Sequence, residues 1–455
     1  MPPEPPTHPE ANGLVIQPST VLVSLPDGGS PAMAEIISRS LVHIQTSKAL
    51  AVHHRIGEHE LHESDFRLVS AWADQSNLAP EVVLEILLGN EGVTRGWKTS
   101  LIDGRFKHLY INQRRLQVTC VPLIPGLEIE SISVCGGENI FYADLDVHPS
   151  QDAAEDALYA ITKINLSSVL HLRQLECSGN HLEYLDLSAT PNLRRLICGG
   201  NFLDSIDLTD VPYLEYLDCG SDMESGGNYI SEIDLSMTPN LTHFACNGRG
   251  EGYPNLSELD LAHVPRLNHL ECSNNSINYL DFKANPLLTH IACMYNRLNF
   301  IDLSNTPNLT NLHCDVNGLE RIDLSAFKNL TRFTCSENNL TDIDLSDVTE
   351  LTFFRCDKNR FTFLDVSELK KLEEFLCSNN LIAKLVLPLA LNLTYLSCSD
   401  NQLTELDLSK VPNVKYLMCD SNFLSVIDIR PLTNLVYVRY DKETTRIIQR
   451  TDQNF

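Results

Sequence analysis

Twelve cysteines recur along the chain at nearly constant intervals: Cys177, Cys198, Cys219, Cys246, Cys272, Cys293, Cys314, Cys335, Cys356, Cys377, Cys398 and Cys419. From Cys272 onward the interval is 21 residues throughout. A thiol can serve as a nucleophile, a metal ligand or half of a disulfide, and each role needs its own setting. A nucleophilic cysteine needs an exposed, electropositive environment, and a disulfide needs converging Cβ vectors. A fixed period supplies neither, because it sets the thiols at equivalent points of stacked units, about 4.8 Å apart with parallel Cβ vectors. The twelve are expected to be buried free thiols, which suit a reducing compartment.

The histidines carry a second chemical signal. His243, His269 and His290 occupy the same position in consecutive repeats, three residues before the cysteine, and His313 falls in the neighbouring outward column. Parallel side chains on adjacent strands converge poorly on one ion, so no metal or cofactor is expected there. The column continues as Asn311, Arg332, Phe353, Glu374, Tyr395 and Tyr416, with Arg355, Leu376 and Met418 beside it. Exposed aromatics and arginine on a rigid strand surface are the residue types enriched at interface hot spots. The face carrying His243, His269, His290, His313, Arg332, Phe353, Arg355, Tyr395 and Tyr416 is therefore the expected partner-binding surface. A second histidine group, His53, His54, His59 and His62, fits no metal spacing and reads as a solvated part of a helical region.

These residues need a frame, and the repeat provides one. In Leu193-Arg-Arg-Leu196-Ile-Cys198-Gly-Gly-Asn201-Phe-Leu203-Asp-Ser-Ile206-Asp207-Leu208-Thr209, inward Leu196 and Cys198 alternate with outward residues, the signature of a half-buried strand. Ile206 and Leu208 repeat the alternation around Asp207, giving each rung two short extended sides. An asparagine returns at Asn180, Asn201, Asn228, Asn275, Asn296, Asn317, Asn338, Asn359, Asn380, Asn401 and Asn422. A buried amide at a corner can donate to and accept from adjacent turns. The aspartates of the L-D-L steps, such as Asp186, Asp207 and Asp302, form an outward column whose repulsion is relieved by nearby backbone N–H groups and by the Ser or Thr two residues on. The grammar of calcium-binding solenoids is missing.

The pattern L-x-x-L-x-L-x-x-N-x-L followed by L-x-x-L-D-L resembles the leucine-rich repeat family, in particular its bacterial subclass of nested 21-residue (IRREKO-like) repeats. Cysteine stands where that pattern usually has its third leucine. The resemblance implies an α/β-solenoid class fold, a mainly parallel-β, right-handed leucine-rich repeat solenoid with a small helical N-terminal cap. It also implies a binding role, with no shared catalytic residue. Some bacterial relatives append a ubiquitin-ligase domain with a C-x-D motif. Cys398-Ser-Asp400 has that form, but Cys398 is an ordinary ladder member. One rung departs from the frame, with Pro254 at the asparagine position, and glycine-rich insertions at Gly220 to Gly227 and Asn247 to Tyr253 follow two of the cysteine strands.

Five segments are expected: a disordered, proline-rich leader over 1–30, a helical cap region over 31–105, degenerate repeats over 106–160, the solenoid over 161–438, and a capping tail over 439–455. In the second, Met33, Ile36, Ile37, Leu41 and Ile44 follow helical spacing behind Pro31; Phe66, Val69 and Trp72 do so behind Ser64 and Asp65 as caps; and Pro80 to Gly89 reads as a further helix. Worn repeat grammar appears at Phe106 to Ile111, Ile129 to Val134 and Leu145 to Val147.

A net charge of −26 repels nucleic acid and anionic lipid. The sequence holds no apolar run long enough to cross a membrane and no signal-peptide pattern at Met1-Pro-Pro-Glu-Pro-Pro. The expectation is a monomeric, non-enzymatic protein-interaction module in the cytoplasm, or an effector delivered into a host cell by a specialised secretion system. The alternative is a repeat array that recruits substrate for an enzymatic activity in the N-terminal region.

Overall fold

The computed structural model describes residues 53–56, 59–76, 78–89, 100–102, 105–112, 120–121, 127, 129–135, 161–167, 169–220, 227–250 and 252–453. Its centre is a 16-stranded sheet that runs from Ser100–Ile102 to Tyr437–Arg439. From Arg105–Asn112 onward every neighbouring pair in it is parallel, and equivalent positions of the repeat are in register: His243 with His269, His269 with His290, Arg332 with Phe353. This is the parallel solenoid that the period implies. Each rung adds a three-residue strand such as Arg195–Ile197 or Glu374–Leu376. Outside this sheet the repeat region is irregular among the described residues except where Cys120–Val121 pairs with Lys163–Ile164, Phe363–Asp365 with Lys384–Val386 and Val426–Asp428 with Arg446–Ile448.

The core is columnar because each rung repeats its inward positions. The hydrophobe before the cysteine, from Leu175 through Phe244 to Leu417, is buried in every rung. Phe333, Phe354 and Phe375 stack with 5.5 Å between successive ring centroids. All twelve ladder cysteines are buried and free. Burial pushes the thiols from Cys198 to Cys419 up, Cys293 to about 12, so at neutral pH these are packing groups and not thiolates.

The asparagine column closes the corner between the two sides. Asn338 Nδ2 donates to the Cys314 carbonyl of the preceding rung at 3.0 Å and to the Cys335 carbonyl of its own at 3.1 Å. Its Oδ1 accepts from Leu319 N at 3.0 Å. The same pattern runs from Asn201 to Asn422. At Pro254 the column is interrupted, and the adjacent Asn255 instead ties down the insertion, accepting from Arg249 N and donating to Gly250 O. A Cβ on Gly248 would collide with the Asn274 carbonyl, so the insertion starts pressed against the next rung. The outward aspartates accept from the N–H two residues on, as in Asp207 from Thr209 and Asp302 from Ser304, at 3.0 Å in both. The Thr209 hydroxyl and N–H hold the Asp207 carboxylate below the usual range, and the Ser304 N–H and hydroxyl do the same for Asp302.

The residue before the corner asparagine adopts positive φ in ten rungs: Gly179 and Gly200 in early rungs, then Asn274, Tyr295, Val316, Glu337, Lys358, Asn379, Asp400 and Ser421. Asparagine tolerates this region, whereas a β-branched residue is strained in it. Replacing Val316 (φ 53°) with asparagine is expected to raise unfolding stability by about 1 kcal/mol. An unchanged or lower urea midpoint would show that the neighbouring rungs absorb the strain.

The region before the sheet is not simply helical. His53–Ile56 and His59–His62 form an antiparallel hairpin, which corrects the reading of that histidine stretch as helix. Helices α1 (Glu63–Ser76) and α2 (Pro80–Gly89) follow, burying Leu68, Val69 and Trp72 from one and Val83, Leu84 and Leu87 from the other. Asp65 lies inside the first turn of α1, and its Oδ1 accepts from Phe106 N at 2.9 Å. It therefore ties the helix to the first long strand of the sheet, a role the expected cap did not include. The degenerate strands Arg105–Asn112 and Ser131–Cys135 belong to the main sheet. The expected helix at 33–44 and rung at 145–147 lie outside the described residues. At the far end Asp441 accepts from Ser421 N and Asn422 N, and Gln453 donates to the Ile429 and Leu432 carbonyls, covering open backbone groups of the last turns.

Candidate partner-binding face

Two outward positions per rung, one on each side of the buried hydrophobe, form columns along the sheet. The first column holds Arg195, Tyr216, His243, His269, His290, Asn311, Arg332, Phe353, Glu374, Tyr395, Tyr416 and Tyr437. Because adjacent strands hold these residues in register, flat side chains stack. Arg195 lies 3.5 Å above the Tyr216 ring. Ring centroids then follow at 4.0 Å from Tyr216 to His243, 4.1 Å to His269 and 4.2 Å to His290. His313, in the second column as expected, tilts against His290 at 5.6 Å. Further along, Arg332 lies 4.4 Å over Phe353, and Tyr395 packs on Tyr416 at 6.2 Å while donating to Met418 Sδ.

The structure thus places His243, His269, His290 and His313 in one group, Arg332 and Phe353 in a second, and Tyr395 and Tyr416 in a third, all on one face. Arg355 binds Asp357 Oδ2 at 2.9 Å through Nε. Asp357 Oδ1 also accepts from Ser378 N at 2.7 Å, so the guanidinium is anchored to the next rung. Asp315 does the same for Thr334 and Ser336, and Asp420 for Ser399 and Arg439.

Within the histidine group, half-burial and the neighbouring His269 push His243 down to about 4. Half-burial and the same neighbour bring His290 to about 4. These rings are uncharged at neutral pH and can pack face to face without repulsion. Glu271, in the second column, has Oε1 2.8 Å from His269 Nε2 and Oε2 3.3 Å from Asn247 Nδ2. The His269 hydrogen bond, with Asn247 adding to it, draws its carboxyl down to about 2.

Three members of the face were not singled out from sequence. Arg195 and Tyr216 stand at the same repeat position as the histidines, and extending the column backwards would have found them. Glu271 had no comparable signal, because nothing in the period says that its carboxylate turns toward His269. The insertion after Cys246 adds Arg249, whose guanidinium lies 4.7 Å from the Tyr229 ring and 4.3 Å from the Tyr253 ring. Of the insertion at Gly220 to Gly227, residues 221–226 lie outside the described residues.

A parallel sheet built from 21-residue rungs, with a cysteine column inside and an asparagine column at the corner, makes this chain a leucine-rich repeat solenoid. No family model matches its sequence, and neither does any curated protein. Solved structures do match. The functional domain of InlJ from Listeria monocytogenes, described as including a cysteine ladder, is 27% identical over 71% of this chain and 67% of its own, with a TM-score of 0.56. YopM, a leucine-rich effector protein from Yersinia pestis, is 21% identical over 83% of this chain and 98% of its own, with a TM-score of 0.58. The leucine-rich repeat protein LIC12759 from Leptospira interrogans is 20% identical over 66% and 79% of the two chains, with a TM-score of 0.52. Among the described residues, no helix is long and apolar enough to cross a membrane.

Proposed function

We propose that the chain is a non-catalytic protein-interaction module that binds its partner on the outward face of the cysteine-strand sheet. One observation carries this reading: an ordered stack of flat and cationic side chains, Arg195 through His290, continues into Arg332 over Phe353 on the same face. Side chains held this way lose little further entropy on binding, and Arg and Tyr are among the residue types that dominate interface energies. The opposite side offers little shape information, being a repeated Asp-Leu-Ser edge whose aspartates are occupied by their own turns. The similarity to the InlJ domain and to the effector YopM supports a bacterial protein that works by holding another protein. Twelve reduced thiols favour a cytoplasmic location, in the producing cell or, after delivery, in a host. The charge of −26 argues against nucleic-acid partners.

Changing His269, His290, Phe353 and Tyr395 together to alanine is expected to lower the melting temperature only modestly and to keep the fold, since these half-buried side chains lose stacking worth about 0.5–1.5 kcal/mol per pair while the core columns stay intact. Partner affinity should fall by more than about tenfold if two of the four are hot spots. The measurement is quantitative affinity capture with the intact chain and with the quadruple variant. Equal recovery of the same partner, with the fold verified, would move the site off this face.

A further inference from the structure

We propose that His269, Glu271 and His290 form a site for a divalent transition-metal ion of the zinc class on the outward sheet face. The three belong to two adjacent paired strands, with His269 in register with His290 and Glu271 beside Ala292. One ligand atom from each lies within 4.8 Å of the other two, and this is the one such His, Cys, Asp and Glu grouping among the described residues. Ligand atoms around tetrahedral zinc stand roughly 3.3 Å apart for bonds of about 2.0 Å. The triad is thus within side-chain rotation of a coordinating geometry, on a backbone that the ladder holds fixed.

The donor chemistry fits as well as the spacing. Two imidazoles and one carboxylate are a borderline N/O set that suits zinc and its neighbours better than calcium or magnesium. The carboxylate is also held from outside. Asn247 Nδ2 donates to Glu271 Oε2, while Asn247 Oδ1 accepts from Ser273 N at 2.8 Å, leaving Oε1 directed at His269. Hydrogen-bonded ligand carboxylates of this kind are what metal sites use to orient their donors. His269 and Glu271 remain 25% and 35% exposed, so the open coordination positions would face solvent and could take water or a donor group from a bound molecule. Viewed as a single column, the histidines run parallel and do not converge. Glu271, from the neighbouring column, supplies the missing direction. The proposal does not depend on the face binding a protein.

The test uses the intact chain and the metals alone. Titration with Zn²⁺ by calorimetry and with Co²⁺ by visible absorption should show one ion per chain and Co²⁺ d–d bands without thiolate charge-transfer bands. Glu271→Gln keeps the size and the Asn247 contact, and His290→Ala removes one imidazole. Each should weaken binding by at least about tenfold, while exposed His171→Ala leaves it unchanged and circular dichroism confirms the fold of all three. The proposal is overturned by absence of binding up to about 1 mM metal, by thiolate charge-transfer bands that place the ion on cysteines, or by unchanged affinity in both site variants.

Discussion

Replacing Cys335 with aspartate is expected to unfold the array around its rung, at a cost of several kcal/mol. The thiol is fully buried, and the carboxylates of Asp315 and Asp357 act on it electrostatically. An aspartate there would either carry an unpaired charge in a dry column facing two like charges, or stay protonated with a hydroxyl lacking a partner. Both are costly, on the order of 3–5 kcal/mol for an uncompensated buried charge, against a total stability typically of about 5–15 kcal/mol. Cys335→Ala removes only packing and should cost about 1–2 kcal/mol. Because each rung touches only its neighbours, hydrogen exchange should accelerate first in the rungs of Cys314 and Cys356 and least at the ends. A variant whose protection pattern matched the parent would contradict the dry column. So would rapid modification of these thiols in the native protein, since burial holds them protonated.

Asn338→Leu is expected to be nearly as damaging, although it trades a polar residue for an apolar one in a buried place. The amide satisfies the Cys314, Cys335 and Ser336 carbonyls and the Leu319 N–H at once. Leucine would strand the Leu319 N–H, at about 1–3 kcal/mol, and would take one of two donors from each carbonyl, which keep Asn317 Nδ2, Asn359 Nδ2 and Val316 N. With the weakened carbonyls added, a loss of about 2–4 kcal/mol is expected, read as a fall in the denaturant midpoint at unchanged slope. Asn339→Leu, one residue on and outside the column, serves as control. A loss below about 1 kcal/mol for Asn338→Leu would mean that the Leu319 N–H finds water, and that the column is not what joins the rungs.

Much of this protein follows from its sequence because a solenoid is nearly one-dimensional. Position within the repeat decides whether a residue faces in or out, and stacking then repeats that decision rung after rung. The sequence by itself therefore determined that Leu196 and Cys198 are core, that Asn201 closes a corner, that Asp207 caps its own turn, and that His243, His269 and His290 share one exposed column. It did not determine what requires contact between columns or between distant segments. The hairpin at His53–Ile56 and His59–His62 is too short, with Ile56 and Leu61 its buried residues, for a period to appear. The bond from Phe106 N to Asp65 spans 41 residues with no repeat to announce it. Glu271 meets His269 and Asn247 because the insertion after Cys246 sets the loop residue beside the next strand and the carboxylate rotamer turns along the sheet. Period fixes which face a side chain is on, since that depends on backbone alternation alone. Which neighbours it touches there depends on rotamers and on chain offsets such as insertions, and only the tertiary structure decides those.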